Sequence, residues 1–292
     1  MSDKSFKTID EQIEILRNRG LAIEDESFAK DFLLRNNYYR VSGYSLTLRS
    51  HDVFNVNATF QNIVDIYNFD HELRHILLEY IELIEVSIKS IFAYEFTKRH
   101  GSTGYTDPRY FTDPVKHAEI MKKAEKQKIA RLPHEAYLKH FVEDLNQEIP
   151  LWAYVDLLTI SDISFLYKIS ELDIKNAVAL IMGLNTHGAE ILQKYMHSMT
   201  IIRNLCAHGS RLYNRLFEQK PSLNKRDFAL LLRTNTGSVD NSHLFGFILI
   251  MRRLLKYNDF ITLKNMVFDL TKKYPFVNLR FYGFPDHWLS SI

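Results

Sequence analysis

Cysteine is nearly missing: Cys206 stands alone among 292 residues, which rules out an intramolecular disulfide and fits a reducing cytoplasm. Glycine and proline are sparse, with ten and seven copies, and neither occurs between Thr59 and His100. Glycine-rich phosphate loops, Ser/His/Asp elbows and cysteine clusters are absent, which argues against nucleoside triphosphate use and structural zinc. No apolar run approaches the roughly 20 residues that span a bilayer. The N-terminal Met1-Ser2-Asp3-Lys4-Ser5-Phe6-Lys7 offers no apolar stretch for a leader, so a soluble, cytoplasmic protein is expected. The formal charge of +2 is too small to announce a nucleic-acid binder,.

That small total hides an uneven distribution. Residues 59–95 carry seven acids against Arg74 and Lys89, a net of −5. Residues 203–233 carry seven bases against Glu218 and Asp227, a net of +5. Helical spacing dominates the apolar pattern. Leu73, Leu77, Tyr80, Ile84, Ile88 and Ile91 share one stripe of a long amphipathic helix, with Thr59 as its N-cap and Gly101 as its stop,. Further helices are expected at 8–19, 26–36, 115–131, 134–147, 151–169, 171–184, 188–208, 223–233, 242–257 and 259–273. Residues 38–56 read as extended or looped chain, and the aromatic tail from Tyr274 as docked coil. The fold class is all-α. A soft boundary near residue 58 separates a small N-terminal helical module, 1–58, from the main domain, 59–292.

The densest chemistry lies at Arg203-Asn204-Leu205-Cys206-Ala207-His208, followed by Arg211, Asn214 and Arg215. A guanidinium, an amide and an imidazole within six residues suit a phosphodiester held and cleaved without a metal. As a bare pattern Arg-x4-His is weak, since about 0.7 copies are expected by chance from this composition. Its placement says more. Leu192, Tyr195, Met196, Met199, Ile202 and Cys206 share one apolar face of the helix, and Arg203 falls within it,. An arginine there must be paired, or must point at an interface or a ligand. His208 lies about 140° round from it on an ideal helix. On the residues alone two readings stay open. One is half of a phosphodiester site; the other is a core arginine paired with the acidic helix plus a surface histidine.

Residues 203–215 resemble the signature of Abi-type (abortive infection, AbiD/AbiF-like) proteins of the HEPN superfamily, which runs Arg, a polar residue, three more, then His. The likeness extends along the chain through Leu16-x-x-Arg19-Gly20-Leu21, Phe32-Leu33 and Asn37-Tyr38-Tyr39-Arg40-Val41-Ser42-Gly43-Tyr44. It continues through Asp70-x-x-Leu73-Arg74 with Glu82 and Glu85, then Pro150-Leu151-Trp152-Ala153, Ser164-Phe165-Leu166-Tyr167 and Gly283-Phe284-Pro285-x-x-Trp288. Lys89 departs from the arginine expected at that position. The resemblance implies a HEPN-type helical bundle and a metal-independent endoribonuclease toxin of phage defence or toxin–antitoxin type. Its composite site would be shared across a homodimer, with an RNA or protein antitoxin as a further partner and no cofactor. His208 would be the general acid/base, Arg203 would stabilise phosphorane charge, and Asn204 would orient the phosphate or the imidazole. Arg211, Asn214 and Arg215 would hold flanking phosphates, and Glu82 or Glu85 would support the site.

Competing readings remain. A non-catalytic RNA-binding or regulatory protein of the same fold would use Arg203 and His208 for grip alone. His71-Glu72-Leu73-Arg74-His75 matches the zinc-peptidase pattern His-Glu-x-x-His. Its downstream acid Glu95 would sit about 30 Å away along an unbroken helix. The lysines of 116–131 could track RNA phosphates, and Tyr38, Tyr39 and Tyr44 could stack on bases. A solvated helix face and core packing are the plainer accounts of those groups.

Overall fold

Phe60–His100 forms one unbroken helix in the computed structural model, which describes residues 5–185, 188–233 and 237–292. Its start is fixed by a reciprocal cap: Asn62 N–H donates to Thr59 Oγ1 at 3.1 Å, and Thr59 N–H to Asn62 Oδ1 at 2.9 Å,. Gly101, at φ +77°, ends it. At 1.5 Å per residue this 41-residue helix runs about 60 Å,, and other elements dock along it. Of the expected stripe, Leu73, Leu77, Tyr80, Ile84 and Ile88 are buried and Ile91 is half-buried. The helices Leu172–Ile181, Gly188–Ala207 and Tyr257–Lys273 pack against it. The fold is all-α: the only two-residue strands among the described residues, Arg49–Ser50 and Val53–Phe54, make one small antiparallel hairpin. Buried side chains form one contiguous core from Ile13 in the first helix to Trp288 in the tail. No helix among the described residues is long and apolar enough to cross a membrane.

Where local structure departs from the periodic reading, local hydrogen bonds or tertiary burial decide. Tyr38–Tyr44 is a helix rather than extended chain. Asn37 turns the backbone at φ 62°, and its Oδ1 accepts from Tyr39 N–H at 2.8 Å. Val41 and Tyr44, three residues apart, then bury into the core, which outweighs the poor helix propensity of aromatic and β-branched residues. Buried Tyr44 is therefore no stacking platform. The expected helix over 151–169 is two pieces, Leu151–Tyr154 and Ile160–Ile169. Thr159 and Asp162 cap the second reciprocally, with Asp162 N–H donating to Thr159 Oγ1 at 3.2 Å, and Leu158 is extended before them. The segment 223–233 shortens to Lys225–Phe228, and 134–147 to Ala136–Lys139 followed by a wide π-turn.

Candidate active site

The helix carrying the motif ends within it. Gly188–Ala207 stops one residue before His208. Ser210 N–H reaches back to the Leu205 carbonyl at 2.8 Å and Gly209 N–H to that of Cys206 at 3.0 Å. With Gly209 left-handed at φ 63°, this is a Schellman closure in which His208 is the C-cap. The imidazole stands exposed at the helix end, and Asn204 is exposed one turn before it. Leu192, Tyr195, Met196, Met199, Ile202 and Cys206 are all buried, as the apolar face requires. Burial pushes the Cys206 thiol up to about 12, so this side chain packs and does not react.

Arg203 sits half-buried at the edge of that face and lines an open cleft of about 700 Å³. Glu82, Glu85 and Lys89 of the long helix, Trp152 of the short helix Leu151–Tyr154 and Asp156 of the turn after it are among its walls. Lys89 Nζ pairs with Glu85 Oε1 at 2.8 Å, both side chains being largely shielded. Among the described residues Arg203 itself has neither an ion-pair nor a hydrogen-bond partner. A partly desolvated guanidinium is thus held facing open space beside carboxylates that do not bind it. Within one chain the cleft brings Arg203 together with Glu82 and Glu85; His208, Asn204, Arg211, Asn214 and Arg215 are not among its walls.

The segment after the motif is clamped by residues far away in sequence. Asp70, buried in the long helix, accepts the N–H groups of Leu212 at 3.2 Å and Tyr213 at 2.8 Å. It also accepts from Tyr44 Oη at 2.8 Å, Tyr282 Oη at 2.9 Å and the Arg74 guanidinium. Burial holds the Asp70 carboxyl above the ordinary carboxylate range, against the opposing pull of Arg74, Tyr44, the Leu212 amide and Tyr282. Arg40 Nη2 donates to the Gly209 carbonyl at 2.5 Å, and Asn214 N–H donates to the Phe281 carbonyl at 3.0 Å. Asn214 occupies the left-handed region at φ 48°, which gives its identity a backbone reason. Arg211 donates to the carbonyls of Tyr213 and Asn214. Arg215 donates to the Arg211 carbonyl at 3.4 Å and lies over Phe217. Asp70 and Arg40 are the positioning groups that reading the motif alone overlooks, although both stand in the conspicuous blocks Asp70-x-x-Leu73-Arg74 and Tyr38-Tyr39-Arg40.

The zinc-like histidines stand together, with ring centroids of His71 and His75 4.6 Å apart. Glu72 is engaged elsewhere, accepting from Lys273 Nζ at 2.8 Å and Tyr274 Oη at 2.5 Å. No group of three or more His, Cys, Asp or Glu among the described residues is arranged to hold a metal ion.

The chain matches the family model described as Abi-like protein over residues 31–214. That match opens in the second helix, takes in Arg40, Asp70, Arg74, Glu82, Arg203 and His208, and closes at Asn214. No curated protein and no solved structure matches significantly. With well over half of its length covered, from the Arg40 clamp through the 203–208 segment, the chain belongs to the Abi-like protein family.

Proposed function

We propose that this protein is a metal-independent endoribonuclease of phage defence, of abortive-infection or toxin–antitoxin type, built on a HEPN-type bundle. The observation that carries the proposal is Arg203, without a partner among the described residues, lining an open cleft while His208 stands exposed at the same helix's C-cap. Family membership supports the defence role. Two copies complete the site: the cleft of one would receive the His208 segment of the other. Around it Leu83, Val86 and Trp152 are 43%, 54% and 57% exposed, apolar area that self-association would cover.

In this reading the His208 imidazole takes the proton of a ribose 2′-OH as its oxygen bonds to the adjacent phosphorus. The P–O5′ bond breaks, and the imidazolium returns a proton to the departing 5′-oxygen. Products are a 2′,3′-cyclic phosphate and a 5′-OH end. Arg203 neutralises the charge gathering on the non-bridging oxygens, and Asn204 orients the phosphate. Glu82 and Glu85, which leave the guanidinium unbound in the single chain, offer carboxylates that would orient it or the incoming imidazole once two copies assemble. Arg211 and Arg215 bind flanking phosphates, with Asn214 shaping the turn between them. The nucleophile makes RNA the substrate.

Incubation with RNA in EDTA tests the proposal. Wild type and the His71→Ala/His75→Ala variant should cut alike, leaving cyclic phosphate ends, and His208→Ala should not cut. Cleavage that survives His208→Ala removes the mechanism. Binding without cleavage by the wild type makes the protein an RNA binder, and loss of cleavage on chelation points to a metal.

A further inference from the structure

A second basin, of about 830 Å³, opens between the N-terminal helices and the segment that follows the motif. Four guanidinium groups line it, those of Arg19, Arg40, Arg49 and Arg211, against the single carboxylate of Asp52. Asp52 is shared, 3.5 Å from Arg19 Nη2 and 2.9 Å from Arg49 Nη1, so three positive charges stay uncompensated. The Arg49 side chain is only 13% exposed, and its buried Nε has no hydrogen-bond partner among the described residues. A desolvated N–H left unpaired is a donor in want of an acceptor. Arg211 lies against Gly43 so closely that a Cβ there would stand 3.3 Å from its Nε. Arg40 ties the basin to the motif through the Gly209 carbonyl, the residue after His208. Tyr39 presents an 82% exposed ring, with Tyr38 half-buried beside it.

We infer that this basin binds the phosphate backbone of single-stranded RNA, with Tyr39 as a stacking surface for a base, and so leads the strand past His208. That the strand is a substrate rests on the ribonuclease reading; that the basin binds it does not. Forked guanidinium donors match phosphate oxygens. An exposed ring beside them matches an unstacked base, which an acidic protein segment lacks.

The test is binding of a labelled 12-nucleotide RNA in the uncleaving His208→Ala background, read by fluorescence anisotropy across a salt series. Arg19→Ala/Arg49→Ala should weaken binding about tenfold or more and flatten the slope of log K against log salt by about 1.4, two phosphates' worth for a single strand. Tyr39→Ala should weaken it by about tenfold. Asp52→Asn, at an exposed position, should tighten it, while Arg109→Ala, on a remote exposed turn, should leave it unchanged. A folded Arg19→Ala/Arg49→Ala protein that binds RNA like its parent overturns the inference. So does polyglutamate competing as well as RNA, which would indicate an acidic protein partner. Should the arginine pair fail to fold, Asp52→Asn decides, and unchanged or weaker binding overturns the inference. Cleavage by the wild type is scored separately, so a basin that binds in a protein that never cuts sinks the ribonuclease reading alone.

Discussion

Tyr213 donates its backbone N–H to Asp70 Oδ1 at 2.8 Å across 143 positions of sequence. Through it, a carboxylate in the first third of the long helix holds the loop that follows the motif. Asp70 also accepts from Tyr44, Tyr282, Arg74 and the N–H of Leu212, which is shared between its two oxygens, so the N-terminal helices, the motif loop and the tail meet on one side chain.

Asp70→Ala should therefore cost about 3–5 kcal/mol, because it leaves Arg74 buried without its counter-charge. Asp70→Asn also removes the counter-charge, but it fills the space and keeps one acceptor oxygen, and should cost less. Urea unfolding of both variants checks the order, and a loss of under about 1 kcal/mol for Asp70→Ala contradicts the clamp.

The C-cap separates catalysis from stability. His208→Ala changes an exposed side chain and should shift stability by no more than about 0.5 kcal/mol while lowering cleavage roughly 10²–10⁴-fold. Gly209→Ala must hold a left-handed backbone and should cost about 1–2 kcal/mol. Thermal melts beside cleavage rates separate the two effects.

Assembly can be tested by complementation. Arg203→Ala and His208→Ala should each be inactive alone. Mixed and reassembled, they should recover about a quarter of wild-type activity, since half the dimers are mixed and each of these has one intact site. Trp152→Asp should lower dimer content by light scattering. Full activity from a demonstrably monomeric sample would contradict the shared site.

Cys206 supplies a pH prediction. With its thiol raised to about 12, thiolate at pH 8 is scarcer than in a free cysteine by on the order of 10³, and burial shields the sulfur further. Alkylation should be slow in the native protein at pH 8 and rapid in urea. Fast native labelling would show that the motif helix opens.

The long helix was legible because cap, apolar stripe and terminal glycine agree. Tyr38–Tyr44 was not, because its helix depends on burying Val41 and Tyr44 rather than on propensity. The break before Ile160 was written in Thr159-x-x-Asp162, and a continuous apolar pattern concealed it. In the candidate site, the motif and its neighbouring arginines could be read directly. The pairing of Asp70 with Tyr213, or of Arg40 with Gly209 across 169 positions, could not, since nothing local marks a donor for so distant an acceptor.

Sequence alone determined an all-α chain, the helical stripe, and a helix over 188–208 with Arg203 within its apolar face. Periodicity and glycine chemistry act within a few residues, so they survive without neighbours. Only the tertiary structure decided that Arg203 lines an open cleft without a partner among the described residues, that His208 is absent from that cleft's walls, and that Arg19, Arg40, Arg49 and Arg211 gather in one basin. These are relations between side chains brought close by packing a single core, and no local pattern contains them.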